Sequence, residues 1–340
     1  MANITRDSHY VPQATLRRWS NDGKQILAYR TLVPHVNIPE WSLKSIRGLA
    51  YQRDLYTTLS GGQELDDFER WITKEFEERA LESINKILAN RQLARDDWKH
   101  LTRFVAAQDV RTPLNFMESM HRWNQQLPMI LENSIKESIK KLEQAQLEGI
   151  TLKTTNQTNE FSDLLRVKVQ KPNNPDCANA TISAEITTGR ALWIASMHHL
   201  LTGVATVLSR HRWSIVEPYH DEEWLLTDHP VLRLNYYVSG KYDFKGGWDN
   251  KGTELMMPLS PRHLLYVQVG QKASNRFTFS QEQTHLVQKL FAERAHRWIF
   301  SRRQISWISQ ARQRCVDREL FMEEQTAWDG WHLKQLEVER

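Results

Sequence analysis

Cysteines and long apolar runs are scarce in this sequence. Only two of its 340 residues are cysteines, Cys177 and Cys315, and they lie too far apart to predict a metal-binding or disulfide framework. Such sparse use of cysteine fits a reducing compartment. No apolar run reaches the roughly 20 residues of a membrane span, because polar residues interrupt the longest candidate, at positions 191–208. The opening residues MANITRD also lack the apolar core of a signal peptide, so we expect a cytoplasmic protein without a membrane partner.

Several common catalytic motifs are missing as well. The sequence has no Gly-x-Ser-x-Gly nucleophile motif, no phosphate-binding glycine loop with its lysine, and no dinucleotide-binding glycine pattern. His198 and His199 do not supply a zinc site, because adjacent helical residues point apart whereas a helical zinc pair is spaced by four. The common hydrolase, NTPase and dehydrogenase interpretations therefore lose their support.

The charge of the chain is concentrated near its end. Hydrophobic residues make up 40% and charged residues 25%, as in ordinary folded proteins, and the net charge is only +4. Residues 294–318, however, contain many arginines and a single acid, Asp317. Such a field attracts phosphate, and Trp298 and Trp307 in the same stretch could stack on nucleic-acid bases. The alternative is a solvated helix with a tryptophan-rich buried face. The candidate nucleic-acid-binding residues are Arg294, Arg297, Arg302, Arg303, Arg312 and Arg314.

Turn signals and hydrophobic periodicity predict a mixed α+β fold. We expect short N-terminal strands, a central helical segment, a mainly antiparallel C-terminal sheet and terminal helices. The dipeptide Asp22-Gly23 predicts a hairpin between residues 10–20 and 25–32. Apolar spacings of three and four predict helices at residues 65–88, 96–112, 115–147, 189–210 and 281–300. Strands are expected at residues 212–217, 224–227, 231–238 and 263–269.

The domain organisation follows from these elements. We expect residues 1–300 to form a single α+β domain, followed by a basic, tryptophan-containing helical tail at residues 301–340. An internal boundary, if the chain has one, belongs in the polar residues 148–180, because KPNNPD at 171–176 is a turn or linker sequence.

Two polar residues lie near the end of the second predicted helix. Gln108 shares a stripe with apolar residues, and Arg111 follows just before Pro113, which must end or kink the helix. Burying either side chain without a partner costs roughly 1–3 kcal/mol. The planar fork of Arg111 suits a phosphate or carboxylate ligand, and an internal acid is the alternative partner.

Asp228 is expected at the end of a strand, because Pro230 interrupts the ladder there. A carboxylate in this position is either a metal ligand or general base, or a turn cap that accepts backbone amides. With Asp243 and Lys245 it loosely resembles the carboxylate and Asp-x-Lys pattern of metal-dependent nucleases. His9, beside a rigid Val-Pro-Gln turn, is either an acid–base group or ligand, or a structural donor.

Four segments resemble one protein family, in the same order along the chain. They are HYVPQ at residues 9–13, QDVRTP at 108–113, TDHP at 227–230 and PLSP at 258–261. With further matches around Tyr56 and at Phe68-Glu69, the chain resembles the domain-of-unknown-function 4238 family over roughly residues 8–300. His229 stands where that family typically has asparagine, and the basic tail lies outside the resemblance.

The resemblance implies a bacterial, intracellular protein in which His9, Gln13, Gln108, Arg111 and Asp228 form one site. These residue types suit phosphate-ester chemistry or phosphate binding. We expect a hydrolase-like effector acting on nucleic acid or a nucleotide, in phage defence or another bacterial conflict. Arg111 would hold a phosphate, and Gln108 would orient it or a water. Asp228 and His9 would share acid–base work or bind a divalent metal ion.

Two other interpretations use the same residues. In a binding module without a reaction, they form a buried polar network while the tail holds nucleic acid or a protein partner. In a purely structural interpretation, the five residues brace turns. The sequence indicates neither the oligomeric state nor the substrate.

Overall fold

Short strands and single helical turns make up the N-terminal part of the computed structural model, which describes residues 4–150, 164–170, 181–238 and 240–339. In chain order these elements are β1 (Asp7–His9), α1 (Gln13–Leu16), β2 (Gln25–Arg30), β3 (Leu32–Val33), β4 (Trp41–Ser45), β5 (Tyr51–Arg53), β6 (Thr58–Ser60) and β7 (Gln63–Leu65). Antiparallel pairs join β1 to β5 and β6 to β7.

The predicted hairpin around Asp22-Gly23 is wrong. The residues before the turn are helical, since α1 is followed by a 3-10 turn at Arg17–Trp19. The Oδ1 atom of Asp22 accepts the backbone amides of Lys24 and Gln25 at 2.8 and 2.7 Å. The aspartate therefore closes a local turn through its own side chain, and β2 finds its partners elsewhere.

Long helices form the central segment, as predicted. They are α2 (Asp67–Ile72), a π-helical turn (Thr73–Glu78) that continues it, α3 (Arg79–Leu88), α4 (Arg95–Val110) and α5 (Pro113–Leu147). Pro113 ends the second predicted helix and begins α5, where its missing amide costs nothing. The hydroxyl of Thr112 caps α5 by accepting the amide of Asn115 at 3.3 Å.

The C-terminal half contains most of the remaining strands. Its elements are β8 (Leu165–Gln170), β9 (Thr181–Ile186), α6 (Arg190–Thr202), β10 (Ser214–Glu217), β11 (Leu226–Thr227), β12 (Leu232–Val238), β13 (Lys241–Asp243), β14 (Glu254–Ser260), β15 (His263–Gln268), β16 (Arg276–Thr278), α7 (Gln281–Arg294), β17 (Trp298–Ser301), α8 (Ile308–Ala311), β18 (Cys315–Val316), α9 (Arg318–Ala327) and α10 (Trp331–Glu339). The four strands predicted here are confirmed as β10, β11, β12 and β15.

Two sheets contain most of these strands, while β8 pairs with β9 and β18 pairs with β3, and the α+β class is confirmed. The larger sheet has the order β13-β12-β14-β15-β10-β16 and is antiparallel except between β10 and β16. The smaller sheet has the order β11-β17-β2-β4 and joins strands from both ends of the chain. Within it, Phe300 lies opposite Ala28 on one side and Leu226 on the other. This smaller sheet brings the N-terminal motif close to the chain around Asp228.

The basic stretch is not one continuous helix. The predicted helix at residues 281–300 is wrong beyond Arg294, because the chain turns at Ala295 and enters β17. The expected boundary at residue 300 thus falls inside a strand, and β18 pairs in parallel with β3. Of the expected boundary region 148–180, residues 151–163 and 171–180 lie outside the described residues.

The described residues form three buried hydrophobic clusters, of which the largest contains residues from the N-terminal, central and C-terminal parts of the chain. Trp19, Phe76, Trp193 and Trp331 belong to the same buried cluster, although more than 300 residues separate the first from the last. By length and composition, one described helical stretch, Arg190–Arg210, could cross a membrane. Its Trp193 is buried in this core.

Candidate functional site

Arg111 connects the motif segments at the junction of α4 and α5. Its side chain has 0% exposed surface. The Nε and Nη2 atoms donate to the backbone carbonyls of Tyr10 and His9, at 2.9 and 2.8 Å. Nη1 donates to Oε1 of Glu77 at 2.5 Å, and the hydroxyl of Tyr56 donates to the carbonyl of Arg111 at 2.5 Å. The internal acid considered as an alternative partner of Arg111 is therefore Glu77.

This burial changes the role expected of Arg111. A guanidinium without exposed surface does not present its fork to a phosphate, so the predicted phosphate contact is not made in this arrangement. Instead, the hydrogen bonds of Arg111 to the carbonyls of His9 and Tyr10 fix the backbone of these two residues. Arg111 is a positioning residue for the segment that carries His9.

Gln108 does not reach the site either. It is completely buried on α4, and neither its Nε2 nor its Oε1 atom has a hydrogen-bond partner among the described residues. Leaving such an amide unpaired costs roughly 1–3 kcal/mol. The predicted role of orienting a phosphate or a water has no contact to support it.

His9 and Gln13 line a groove of about 500 Å³. We call it the His9 groove and define it by His9, Gln13, Arg17, Arg47, Glu69 and Glu77. The Nε2 atoms of Gln13 and His9 are 3.4 Å apart, across the bend between the end of β1 and the start of α1. Arg17 donates to Oε1 of Gln13 at 3.0 Å, so the amide of Gln13 is held between a cation and the imidazole.

Glu69 and Glu77 share this groove because of the π-helical turn between them. On a regular α-helix, residues eight positions apart differ by about 80° around the axis. The π turn between them accommodates one extra residue, so the rotation around the helix axis from Glu69 to Glu77 is about 100° smaller than on a regular helix. The two carboxylates therefore lie on nearly the same face. Such π turns occur frequently at functional sites.

The protonation states in the groove are unusual. Burial raises the pKa of Glu69 to about 7, although the nearby charge of Arg111 opposes the rise. One carboxyl oxygen of Glu69, Oε2, is buried and has no hydrogen-bond partner among the described residues. Burial also lowers the pKa of His9 below its ordinary value. Near neutral pH the groove therefore contains a carboxyl that is close to its point of half-protonation and an imidazole that is mostly neutral.

Asp228 lies in a different groove. Its carboxylate accepts the backbone amides of His296 and Arg297, at 2.9 and 2.7 Å, and so caps the turn before β17. Burial raises the pKa of Asp228 to about 6, and these amide bonds limit the rise. This second groove, the Asp228 groove, measures about 600 Å³ and is also lined by Tyr10. Because neighbouring residues of an extended segment point to opposite sides, Tyr10 faces Asp228 whereas His9 faces the other groove.

His229 connects the Asp228 segment to the Arg111 segment. Its Nδ1 atom lies 2.8 Å from the hydroxyl of Thr112, and both side chains are buried. Burial lowers the pKa of His229 well below its ordinary value, so the ring is neutral. The residue that departs from the typical family motif thus packs against the Arg-Thr-Pro segment.

His9 and Asp228 do not form a metal site together, since they line separate grooves. Within the part of the chain that the structure describes, there is no group of three or more His, Cys, Asp or Glu residues placed to hold a metal ion.

The arginines of residues 294–318 are mostly engaged within the protein. Arg294 pairs with Glu118 at 2.8 Å, and Arg302 pairs with Glu223 at 3.3 Å. The others contact Glu324 (from Arg297), Glu222 (from Arg303), the carbonyl of Ala295 (from Arg312) and the carbonyl of Ile38 (from Arg314). The predicted nucleic-acid-binding stretch therefore does not present one continuous cationic surface.

The sequence pattern did not identify Glu69 and Glu77 as site residues. Glu69 was available as part of the Phe68-Glu69 match, but its role depends on a partner eight residues further along. A regular helical period places Glu77 on another face, and only the π turn brings it back.

Comparison with known proteins identifies the family and no activity. No curated protein and no solved structure matches the sequence. Residues 8–304 match the family described as "Protein of unknown function (DUF4238)". Because this match covers most of the chain and all four motif segments, the protein belongs to that family.

Proposed function

We propose that the His9 groove is an active site that hydrolyses a phosphate ester in nucleic acid or a nucleotide. The observation that carries this proposal is the combination of Glu69, with a pKa of about 7, and His9, with a lowered pKa, in one groove. Perturbed pKa values that cluster in a cleft are typical of catalytic sites. A protonated acid and a neutral base are the two forms that general acid–base hydrolysis requires.

Two cations can contact an anionic substrate in this groove, which the carboxylates of Asp7, Glu69 and Glu77 also line. Arg17 and Arg47 are exposed in the wall of the groove, and neither forms an ion pair with a carboxylate of the described chain. They replace Arg111 as the proposed phosphate ligands, because an exposed guanidinium can offer two parallel donors to phosphate oxygens.

The proposed reaction assigns one proton transfer to each catalytic residue. Neutral His9 accepts a proton from water as the water oxygen bonds to phosphorus. Protonated Glu69 donates its proton to the leaving oxygen as the other phosphorus–oxygen bond breaks. Gln13, held by Arg17, orients the imidazole, and Arg111 fixes the backbone that carries it. We place this activity in the cytoplasm, in phage defence or a related bacterial conflict.

A panel of substrates tests the proposal. Purified protein is incubated with labelled single-stranded oligonucleotide, duplex and nucleoside monophosphates, with and without Mg²⁺ or Mn²⁺. We expect hydrolysis of at least one of them by the wild type, a loss in His9→Gln, and full activity in His35→Gln, whose histidine is exposed and remote from the groove. Equal turnover by both variants would overturn the proposal.

The second candidate function is a binding module without a reaction. It is favoured by the hydrogen bonds of Arg111 and Asp228. Arg111 donates to backbone carbonyls and Asp228 accepts backbone amides, as residues with a structural role do. In that case His9→Gln would bind the same ligand as the wild type, and neither protein would form a product.

A further inference from the structure

A third cleft lies at the N-terminal end of α4, away from the His9 groove and the Asp228 groove. Two adjoining cavities of about 570 and 340 Å³ share Trp98 and Asn275 in their walls. The cations in these walls are Arg91, Arg95, Lys99, Arg212 and Arg276, and we call the whole feature the Trp98 cleft. Asp96 is the single carboxylate among the described residues that line it.

The cations of the Trp98 cleft have no acidic partners. None of the five forms an ion pair with a carboxylate in the described ranges, unlike Arg294 and Arg302 of the C-terminal stretch. Arg276 donates from Nη1 to Asn90 at 2.8 Å, but its buried Nη2 atom has no hydrogen-bond partner in the described part of the chain. Burying such a donor without an acceptor is unfavourable, and an anion in the cleft would compensate for it.

We propose that the Trp98 cleft binds single-stranded nucleic acid through its phosphates. A row of unpaired cations attracts a polyanion and gains free energy from the release of its counterions. Trp98 is half-buried against the core and borders both cavities, which is the position of a side chain that stacks on a base. The choice of nucleic acid over other polyanions rests on the proposed function. The cleft would add a binding site for the strand to the hydrolytic site in the His9 groove.

The shape of the cleft favours a strand over a membrane. The cations line concave walls, which an extended single strand can enter and a broad lipid surface cannot. Two adjoining cavities also suit an elongated ligand better than an isolated phosphate ion. Cationic grooves that carry an aromatic stacking residue are the common arrangement in proteins that bind single strands without sequence preference.

Fluorescence anisotropy with labelled 15-residue oligothymidylate, measured over a range of salt concentrations, tests the proposal. Arg95→Glu with Lys99→Glu changes two exposed side chains and should weaken binding at least roughly tenfold. It should also lower the slope of log affinity against log salt by about 0.7 for each phosphate that the variant no longer neutralises. Trp98→Leu, which keeps an apolar side chain, should weaken binding roughly tenfold without changing the slope.

A matched control carries the same change of charge on another surface. Lys140 and Lys141 are exposed on α5, so Lys140→Glu with Lys141→Glu should bind like the wild type. Equal weakening by both double variants would overturn the proposal, as would the absence of binding by the wild type. Preferential binding to phosphatidylserine vesicles over the oligonucleotide would also overturn it.

The same assay separates this inference from the proposed function. His9→Gln and Glu69→Gln should bind the oligonucleotide with wild-type affinity, because the His9 groove lies at the opposite end of α4. If these variants lose hydrolysis while the Arg95 and Lys99 variant binds normally, the inference fails and the proposed function stands. If the cleft variant loses binding while His9→Gln still hydrolyses substrate, the proposed function fails and the inference stands.

Discussion

The guanidinium of Arg111 lies 2.5 Å from a carboxylate oxygen of Glu77, and only the carboxylate reaches solvent, with 22% of its side chain exposed. The pair joins the end of α4 to the wall of the His9 groove. Since the same guanidinium donates to the carbonyls of His9 and Tyr10, one buried cation holds three elements of the site together. The Arg111–Glu77 pair therefore forms the base of the groove, and His9 and Glu69 line the groove next to this pair.

Replacing Arg111 by methionine should destabilise the protein strongly. The substitution leaves the carbonyls of His9 and Tyr10 without a donor and removes the partner of Glu77. Breaking a buried ion pair typically costs roughly 3–5 kcal/mol, and the partial exposure of Glu77 places our expectation at about 3 kcal/mol. Urea denaturation measures the decrease in the free energy of unfolding.

Arg103→Met is the matched control for that measurement. Arg103 pairs with Glu75 at 3.8 Å, and 31% of its side chain is exposed, so its replacement should cost less than about 1 kcal/mol. Equal midpoints for the two variants would show that the Arg111 network does not brace the fold.

Asp228→Asn should lower stability without removing activity per folded molecule. The asparagine has one acceptor oxygen for the two amides that the carboxylate now caps, so one amide loses its partner at a cost of roughly 1–3 kcal/mol. Thermal denaturation and an activity assay, run on the same sample, measure the two effects. A folded Asp228→Asn protein without activity would place Asp228 in the chemistry.

The same substitution should change how stability depends on pH. Because the pKa of Asp228 is raised to about 6 in the folded protein, the folded state holds this proton more tightly than the unfolded state. Its contribution is therefore most favourable below pH 4 and is lost as the pH rises through about 6. In Asp228→Asn this decline should be absent, whereas an unchanged pH dependence would contradict the raised pKa.

The pH dependence of hydrolysis should follow the two groups of the His9 groove. The reaction needs Glu69 protonated, so the rate should fall as the pH rises above its pKa of about 7. It also needs His9 neutral, and since burial lowers the pKa of His9, the acidic decline should begin below its ordinary value of 6.5. A rate that keeps increasing above pH 8 would exclude Glu69 as the proton donor.

Helices were easier to predict from the sequence than pairings between distant strands. The apolar period of residues 65–88 and the position of Pro113 are local signals, and both identified their helices correctly. The partners of β2 are residues 41–45 and 298–301, and no local signal connects β2 with a strand so far along the chain. The Asp22-Gly23 dipeptide is an equally local signal, but it predicted the wrong turn. The side chain of Asp22 closes a turn with the following backbone amides, and no hairpin forms.

The candidate site shows the same division. The family resemblance pointed to His9, Gln13, Gln108, Arg111 and Asp228. The structure brings only His9 and Gln13 into one groove, above Arg111, whereas Asp228 lines another groove and Gln108 is buried in α4. The resemblance could not indicate which of these residues is buried, because the burial of Arg111 depends on how α4 packs against the N-terminal segment. The position of Glu77 depends on a π-helical turn that the hydrophobic period does not specify.

The most direct test compares Glu69→Gln with Glu78→Gln in a hydrolysis assay at pH 6.5. Both changes remove one carboxylate from the same helical stretch, but Glu78 is exposed and does not line the groove. Glutamine has no carboxylic proton to donate, so Glu69→Gln should lower kcat by roughly 100- to 10,000-fold, the usual contribution of a general acid. Glu78→Gln should retain the wild-type rate, with both variants folded by circular dichroism. Wild-type kcat in folded Glu69→Gln would contradict the assignment of the His9 groove as the active site.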